Sequence, residues 1–478
     1  MNGQMAISAP PPPLKAAAEF DVAVIGAGVV GCAVFRALTL AGLSVILLER
    51  GADILDGASK GNSAILHTGF DAPPGSREVR LMQAGRKRYL AERSLFDLPI
   101  LQTHAVLVAW SEQEAARLPA IVDKAHRNGV TDVRPIDLDE LRRQMPTLAA
   151  SVVAGLSVPG EHIIDPWSSP LAYVLQAMAH GGVVERLFDV DKAERLGGIW
   201  RLSARSRSVD AGIVVNCAGN YGDHVEALSR PSSFAIRPRK GQFVVFDKTA
   251  QRHVPTILLP VPTERTKGVV VCPTIFGNVL VGPTAEDQDD RSVATVERSA
   301  LEHLIDEAAR MVPLLGEEPV AATYAGLRPA SDQKDYIIEA IPERHWVTVA
   351  GIRSTGLTAA LGIADYVTEL VEEHFLPLQP LQDLIWPSLP NLAEHRPRGH
   401  ERPGRGDIIC LCELVTQDEI DAALAGPLPA GNLGGLKRRT RAMMGRCQGF
   451  NCLAAVCEMA NNRLLEAPPL PEGARIDA

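Results

Sequence analysis

The stretch that most constrains the fold is Phe20–Arg50, FDVAVIGAGVVGCAVFRALTLAGLSVILLER. Phe20–Ile25 is a short apolar run of the kind that makes a buried parallel strand. Gly26-Ala27-Gly28 turns the chain, Val29–Ala41 reads as a helix, and Ser44–Leu48 is a second buried strand ending in Glu49. Strand, G-x-G-x-x-G (Gly26, Gly28, Gly31), helix, strand and acid follow in the order of a dinucleotide-binding βαβ unit. Gly26 makes the tight turn, Gly28 lets a pyrophosphate approach the backbone, and Gly31 lets the helix pack on the strand. The helix N-terminus offers unpaired N–H groups and its positive dipole end to the phosphates. Glu49 stands where such a motif keeps the acid that holds a ribose hydroxyl.

A chain of 478 residues divides into two or three domains. Its composition, 46% hydrophobic and 22% charged, is globular, and its net charge of −9 argues against a nucleic-acid binder. Three of the eight cysteines are scattered (Cys32, Cys217, Cys272) and the rest crowd the C-terminal end, a pattern that suggests a metal rather than secreted disulfides. Residues 1–19 carry Pro10–Pro13 and no apolar segment, so they do not read as a secretory signal. The longest apolar run, Val22–Phe35, is glycine-broken and too short to span a bilayer. A cytoplasmic protein is expected, with peripheral association at the inner face of the membrane left open.

After Glu49 comes the long polar loop GADILDGASKGNSAILHTGFDAPPGS, and loops of that length in compact domains are usually functional. Arg77–Leu95 reads as an amphipathic helix, 100–148 as alternating short strands and helices, and Trp167–Ala179 as a helix leading to a strand, Val183–Val190. Ile213–Ala218 is another buried strand. From Ile236 to Pro283 the short runs GQFVVFD, VVVCPT and NVLVGPT, separated by turn residues, predict an antiparallel sheet. Glu297–Val312 reads as helix, Ala325–Pro329 as a turn, and Trp346–Ala350 as a strand before a second glycine-rich junction (Gly351–Thr358) that opens a helix to about Glu373. Residues 376–406, rich in proline, arginine and histidine, read as a linker. Beyond it lie Cys410-Leu411-Cys412, a short helix over Thr416–Leu424 with Thr416 as N-cap, the basic run Lys437–Arg441, and Cys447 and Cys452.

The fingerprint, GNSAILHTGFDAPPGS, RPRKGQF (Arg237–Phe243), VVVCPTIFGNVLVGPT (Val269–Thr284), AGLRPA (Ala325–Ala330) and GIRSTGLTAA (Gly351–Ala360) resemble the D-amino-acid-oxidase-like FAD-dependent oxidoreductases. The resemblance is to the glycerol-3-phosphate dehydrogenase group, especially its anaerobic A-subunit type. The C-terminal unit resembles the bacterioferritin-associated-ferredoxin-like (BFD-like) [2Fe–2S] domain. This implies an α/β chain with a Rossmann-like FAD-binding domain, an antiparallel-sheet substrate domain and a small α-helical iron–sulfur domain. The implied body spans 20–375. Its FAD-binding parts are about 20–100, 150–230 and 325–375, and its substrate parts about 100–150 and 231–324. A linker covers 376–406 and the cluster domain 407–463, between tails at 1–19 and 464–478.

The resemblance also implies roles. FAD lies with its pyrophosphate at Gly26, Gly28 and Gly31 and its ribose on Glu49; Val190 offers backbone near the adenine, and Ala218 and Gly219 pass close to the dinucleotide. Ser59, Asn62 and Ser63 lie towards the flavin ring, and Gly351, Gly356, Leu357 and Thr358 belong to the junction at its pyrimidine end. Arg328 falls where the family keeps an arginine for an anionic substrate. The activity implied is FAD-dependent oxidation of a small anionic hydroxy substrate, sn-glycerol 3-phosphate to dihydroxyacetone phosphate, with electrons leaving through the cluster to a redox partner protein or quinone-linked subunit. The alternatives are oxidation of an L-2-hydroxyglutarate-type acid, oxidation of an amine or amino acid, and the role of a non-catalytic electron-transfer subunit.

The residues carry their own chemistry. An arginine such as Arg328 can fork a phosphate or carboxylate, although a surface salt bridge is the plain alternative. Arg353 is a candidate second clamp and Lys267 a weaker one, read otherwise as a solvated turn lysine. His67 suits removal of a hydroxyl proton; the alternative is a histidine bonded to loop backbone. Cys410, Cys412, Cys447 and Cys452 supply four thiolates for a [2Fe–2S] cluster, with structural zinc the rival. Cys457 reads as a packed helix thiol. The basic stretch Lys437–Arg446 docks an acidic redox partner or is a solvated loop offsetting the cluster's charge.

Overall fold

The computed structural model describes residues 19–263 and 268–468. Among these residues Phe20–Ile25 lies at the centre of an eight-stranded sheet. It pairs in parallel with Val45–Leu48 on one side and with the end of Arg207–Asn216 on the other. Val183–Glu185 and Trp346–Ala350 extend the parallel ladder at its two flanks. Lys192–Leu196 and Ile199–Ala204 form a hairpin that joins the start of Arg207–Asn216, and Ile337–Ile341 runs antiparallel to Trp346–Ala350. The inner strands are covered on both faces, which is why Val22–Val24, Val45–Leu48 and Ile213–Val215 are continuous apolar runs.

On one face the helices Val29–Leu40 and Gly356–His374 pack together, and Arg77–Glu92 crosses the second of them. That crossing is close because neither surface carries a side chain at the contact. A Cβ on Gly85 would stand 2.2 Å from the Thr358 carbonyl oxygen, and one on Gly362 would stand 2.1 Å from that of Leu81.

The second sheet has nine strands among the described residues. Its spine is Ile236–Phe246, paired antiparallel with Val279–Gly282, Glu286–Asp287 and the twelve-residue strand Val320–Ser331. Val270–Pro273 and Ile257–Pro260 continue it, then Ala105–Ala109, Ala154–Val158 and Arg134–Ile136. The antiparallel expectation holds except between Ile257–Pro260 and Ala105–Ala109, which run parallel.

Four sequence expectations need correction. The strand expected at Val183–Val190 stops at Glu185. Ala325–Pro329 is not a turn but the middle of the long strand, where Pro329 lies opposite Pro238 and the two missing N–H groups coincide on one rung. Residues 376–406 hold no regular element beyond a short turn of helix at Gly399–Glu401, yet they are a packed strap rather than a free linker. Leu389, Leu392 and Ala393 are buried, and the Trp386 ring meets Phe96 edge-on at 4.7 Å with the Arg36 guanidinium 5.4 Å above it. Finally, Lys437–Thr440 of the basic run close the helix Leu433–Thr440 and Arg441 caps it in the left-handed region, with Arg438 and Arg441 buried.

That helix and two others, Gln417–Ala425 and Leu453–Ala460, surround Val415, Ile420, Leu436 and Val456. Thr416 caps the first in a reciprocal capping box with Glu419, as the sequence suggests. The unit docks by charge on the loop after Glu49. Asp53, fully buried, takes both prongs of Arg439 (2.6 and 2.8 Å) and the Gly431 N–H (3.0 Å). Asp56 accepts from Arg438 (2.6 Å) and from the Asn432 amide (2.9 Å). Arg438, Arg439 and Arg441 of the basic stretch are therefore spent inside the chain, while Arg446 stays exposed. Arg439→Ala leaves the Asp53 carboxylate buried without its cation, so urea unfolding should show a loss of about 3–5 kcal/mol.

Candidate active site

A cavity of about 610 Å³ opens beyond the carboxyl ends of Phe20–Ile25, Val45–Leu48 and Trp346–Ala350, where the first sheet meets the second. Ligands of open α/β sheets bind at that end of the strands. Gly26, Gly28, Glu49, Ser59, Asn62, Ser63, Val190, Ala218, Gly219, Gly351, Gly356 and Leu357 line it, together with Arg328 and Arg353. Gly31 and Thr358 do not. Gly31 works from behind, since a Cβ there would stand 1.8 Å from the Gly26 carbonyl oxygen. Thr358 Oγ1 donates to the Ile65 carbonyl and accepts the His67 N–H (3.0 Å), pinning the polar loop to the helix.

Two helices end at the cavity without side-chain caps. Val29–Leu40 starts after Gly28, with only Val29 N–H bonded to Ser59 Oγ (3.0 Å), and Gly356–His374 starts after Thr355. Their free N–H groups and dipoles favour anionic groups. At the cavity edge Glu49 accepts the Ala27 N–H (2.7 Å) through one oxygen and the Gly51 N–H (2.8 Å) through the other. Burial pushes its pKa up, and the two N–H groups oppose that. Its remaining lone pairs are what a ribose diol can use. The buried Asn220 Oδ1, also in the lining, lacks a partner. An extended dinucleotide fits this set.

The other end of the cavity is walled by the second sheet. Phe243 stacks on Tyr324 (4.8 Å, 18°), and Tyr324 donates its hydroxyl to the Asn62 carbonyl (2.9 Å). Arg328 donates only to carbonyl oxygens, those of Arg239 (3.3 Å), Lys240 (3.2 Å) and Thr284 (2.7 Å). Among the described residues no carboxylate lies within ion-pair distance of it. Burial lowers its pKa to about 10, with Arg239 adding to the shift and Asp287 opposing it. The result is a half-buried cation whose partners among the described residues are carbonyl oxygens alone. Arg353 is exposed at the rim and also bonds only to carbonyls, of Ser331 and Gln333. Lys267 lies outside the described residues.

His67 is not in the cavity lining. Its Nδ1 meets Glu161 Oε2 at 2.8 Å, and Glu161 also accepts the Thr68 N–H (2.7 Å) and hydroxyl (2.8 Å). Burial pushes the Glu161 pKa up, but His67 and Thr68 outweigh it and the carboxyl ends below its ordinary range. The sequence reading missed Glu161, which carries no local signal, and Arg291, a cavity residue paired with Asp223 (2.9 Å). It also missed Tyr324, whose strand was interrupted by the supposed turn.

In the C-terminal unit the four cysteines stand as neighbours, Cys412 against Cys447 and Cys410 against Cys452. Backbone N–H groups of Asn451, Gly449 and Phe450 point at the Cys447 sulfur and hold its pKa down. Burial pushes that of Cys452 up to about 12. The loop between them turns on left-handed residues Met443, Gln448 and Gly449, the kind of backbone that gathers N–H groups around an anion. Among the described residues no three metal-binding side chains converge on a single point. Two pairs of thiols nevertheless suit a two-iron cluster with four protein thiolates.

Residues 21–370 match the FAD dependent oxidoreductase family, and residues 408–466 match the BFD-like [2Fe-2S] binding domain. The chain belongs to the FAD dependent oxidoreductases. It is 30% identical over 453 residues to a glycerol 3-phosphate dehydrogenase of Caloramator mitchellensis, covering 93% of this chain and 94% of that protein. It is 25% identical to the A-subunit of the anaerobic glycerol-3-phosphate dehydrogenase of Escherichia coli K12, over 90% and 86%. The FAD-bound L-alpha-glycerophosphate oxidase of Mycoplasma pneumoniae superimposes with a TM-score of 0.71 at 27% identity, over 78% of this chain and 99% of that one. The chain is thus an FAD-dependent oxidoreductase with a second, [2Fe–2S] cofactor. No helix among the described residues is long and apolar enough to cross a membrane.

Glu161 contributes its stability above the ordinary carboxylate pKa, about 4.3, and that stability is lost as pH falls through the depressed folded value. In Glu161→Gln the acid limb of a stability–pH profile should therefore be shallower than in wild type.

Proposed function

We propose that this oxidoreductase converts sn-glycerol 3-phosphate to dihydroxyacetone phosphate and sends the electrons through its [2Fe–2S] cluster to a partner. The observation that carries the reading is Arg328, a half-buried guanidinium with carbonyl partners and, among the described residues, no counter-ion, in the lining of the cavity that also holds the dinucleotide cradle. Such a group recognises an anion through a fork. Relatives named for glycerol 3-phosphate cover nearly the whole chain, whereas one named for L-2-hydroxyglutarate covers 56% of it.

In this reading the first sheet with its flanking segments (about 20–100, 150–230 and 325–375) is the FAD-binding part. The second sheet (about 100–150 and 231–324) covers the substrate. Gly26, Gly28 and the start of the first helix hold the pyrophosphate, and Glu49 the ribose. Gly351, Gly356 and Leu357 present their helix end to the pyrimidine side, with Ser59, Asn62 and Ser63 opposite. When bound, the flavin supplies a two-electron acceptor for hydride. Arg328 holds the phosphate, Arg353 closes over it from the rim, and the Phe243–Tyr324 stack keeps water from that wall. His67 is the candidate base: Glu161 at Nδ1 selects the tautomer that leaves Nε2 with its lone pair. Its place off the cavity wall makes the pH profile decisive. In His67→Gln, kcat should lose its acid limb if the imidazole takes the proton, and keep it if the histidine only braces the loop. Cys410, Cys412, Cys447 and Cys452 hold the cluster. The electrons pass to a redox partner protein or a quinone-linked subunit, with the chain itself cytoplasmic or peripheral to the inner face of the membrane.

Anaerobic addition of glycerol 3-phosphate should bleach the flavin of the purified chain. A flavin that stays yellow with this substrate and bleaches with L-2-hydroxyglutarate would overturn the substrate assignment. Arg328→Ala should cost about 2–5 kcal/mol in kcat/KM, mostly through KM, with FAD content intact. Arg328→Lys should recover only part, because the fork is lost. Cys447→Ser should lose iron and acid-labile sulfide while retaining FAD and anaerobic bleaching.

A further inference from the structure

A line of stacked groups runs from the wall of the FAD cavity to the cysteine loops. Pro166 lines the cavity, and the next residue, Trp167, donates its indole N–H to the carbonyl of Lys60, also in the lining (3.3 Å). The buried Asp165 carboxylate fixes the start of this turn by accepting the Trp167 backbone N–H (2.9 Å). The indole lies face to face with Phe276 of the second sheet, 5.3 Å apart and 11° from parallel. On Phe276 sits the guanidinium of Arg441, 4.1 Å from the ring centre. Arg441 belongs to the C-terminal unit and is 4% exposed. It pairs with Glu413 (2.7 Å), the residue after Cys412, and stands two residues before Met443, whose N–H points at the Cys452 sulfur. One side chain thus joins both cysteine loops and presses them on an aromatic pair that ends at the cavity.

We propose that Trp167, Phe276 and Arg441 form the bridge by which electrons pass from the FAD cavity to the cluster. The inference rests on the relay reading above and adds the route. A buried cation on a ring is favourable where water is excluded, but an arginine at a helix C-cap could serve stability alone with any apolar neighbour. Here the stack is continuous, and its ends lie beside the cavity lining at Pro166 and Lys60 and beside the first cysteine loop at Glu413. Oxidation of one substrate molecule leaves two electrons on the flavin. The bridge passes them singly, each turning one ferric ion of the cluster ferrous, while the protons stay on the cavity side. A one-electron acceptor protein takes each electron before the next arrives. The bridge itself is a packed medium whose rings keep one oxidation state. Trp167, Phe276 and Arg441 are positioning residues rather than catalytic ones.

The test uses the full chain loaded with FAD and cluster, mixed anaerobically with glycerol 3-phosphate. Flavin absorbance and the electron paramagnetic resonance of the reduced cluster are followed on the same samples. Phe276→Leu should bleach its flavin at the wild-type rate while cluster reduction slows severalfold. Phe276→Tyr, which keeps the ring, should restore the wild-type rate. The resonance of dithionite-reduced samples should be the same in all variants, showing an undisturbed cluster. Equal rates of cluster reduction in wild type and Phe276→Leu, or equal slowing in Phe276→Tyr, would overturn the bridge alone. Wild-type protein whose flavin bleaches while its cluster stays oxidised would overturn the relay reading and the bridge together. If Phe276→Leu is isolated without cofactors, Trp167→Leu decides: slowed cluster reduction with normal bleaching supports the bridge, and an unchanged rate overturns it.

Discussion

Two helix N-termini without side-chain caps point into one cavity, and the rest of the structure follows from what that requires. Backbone N–H groups buried away from water need acceptors. The chain supplies one from Ser59 and leaves the others to a ligand. To bring both ends to the same place, Val29–Leu40 packs against the first strand at Gly31, and Gly356–His374 is drawn in by the bare contact between Gly85 and Gly362. The first sheet sets where the helices start. The second sheet closes the opposite wall and contributes a cation, Arg328, where the first contributes dipoles.

Charge is handled in two ways. Where the chain docks on itself, arginines meet carboxylates in full pairs, as Arg439 does with Asp53 and Arg441 with Glu413. At the cavity wall Arg328 has carbonyl partners only, which satisfy its N–H groups without neutralising it. Arg441 is buried and paired with Glu413, whereas Arg328 is half-buried and, among the described residues, has no carboxylate partner.

The parts of this architecture legible in the sequence were the ones written locally. Strand, glycine turn, helix and acid from Phe20 to Glu49 depend on neighbours a few residues away, and so does the capping box at Thr416. The cysteine spacing exposed the cluster domain for the same reason. What failed depended on distant partners. AGLRPA looks like a turn because glycine and proline usually break strands, and only the opposing Pro238 explains why Pro329 does not. The basic run looks solvated until Asp53 and Asp56 are brought to it, 386 and 382 residues away in the chain. Residues 376–406 show no period because they pack as single side chains, Trp386 and Leu389 among them, into surfaces made by other elements.

The grip of Arg438 and Arg439 on the loop after Glu49 also bears on how the protein is made. A ribosome delivers the nucleotide-binding end of this chain first, yet the loop beside that site finds its partners only when the last part of the chain has emerged. Until then Asp53 and Asp56 are unneutralised, and the loop carrying Ser59 lacks its outer brace. The brace on a loop beside the first glycine turn is thus supplied by residues 386 and 382 positions further along the chain.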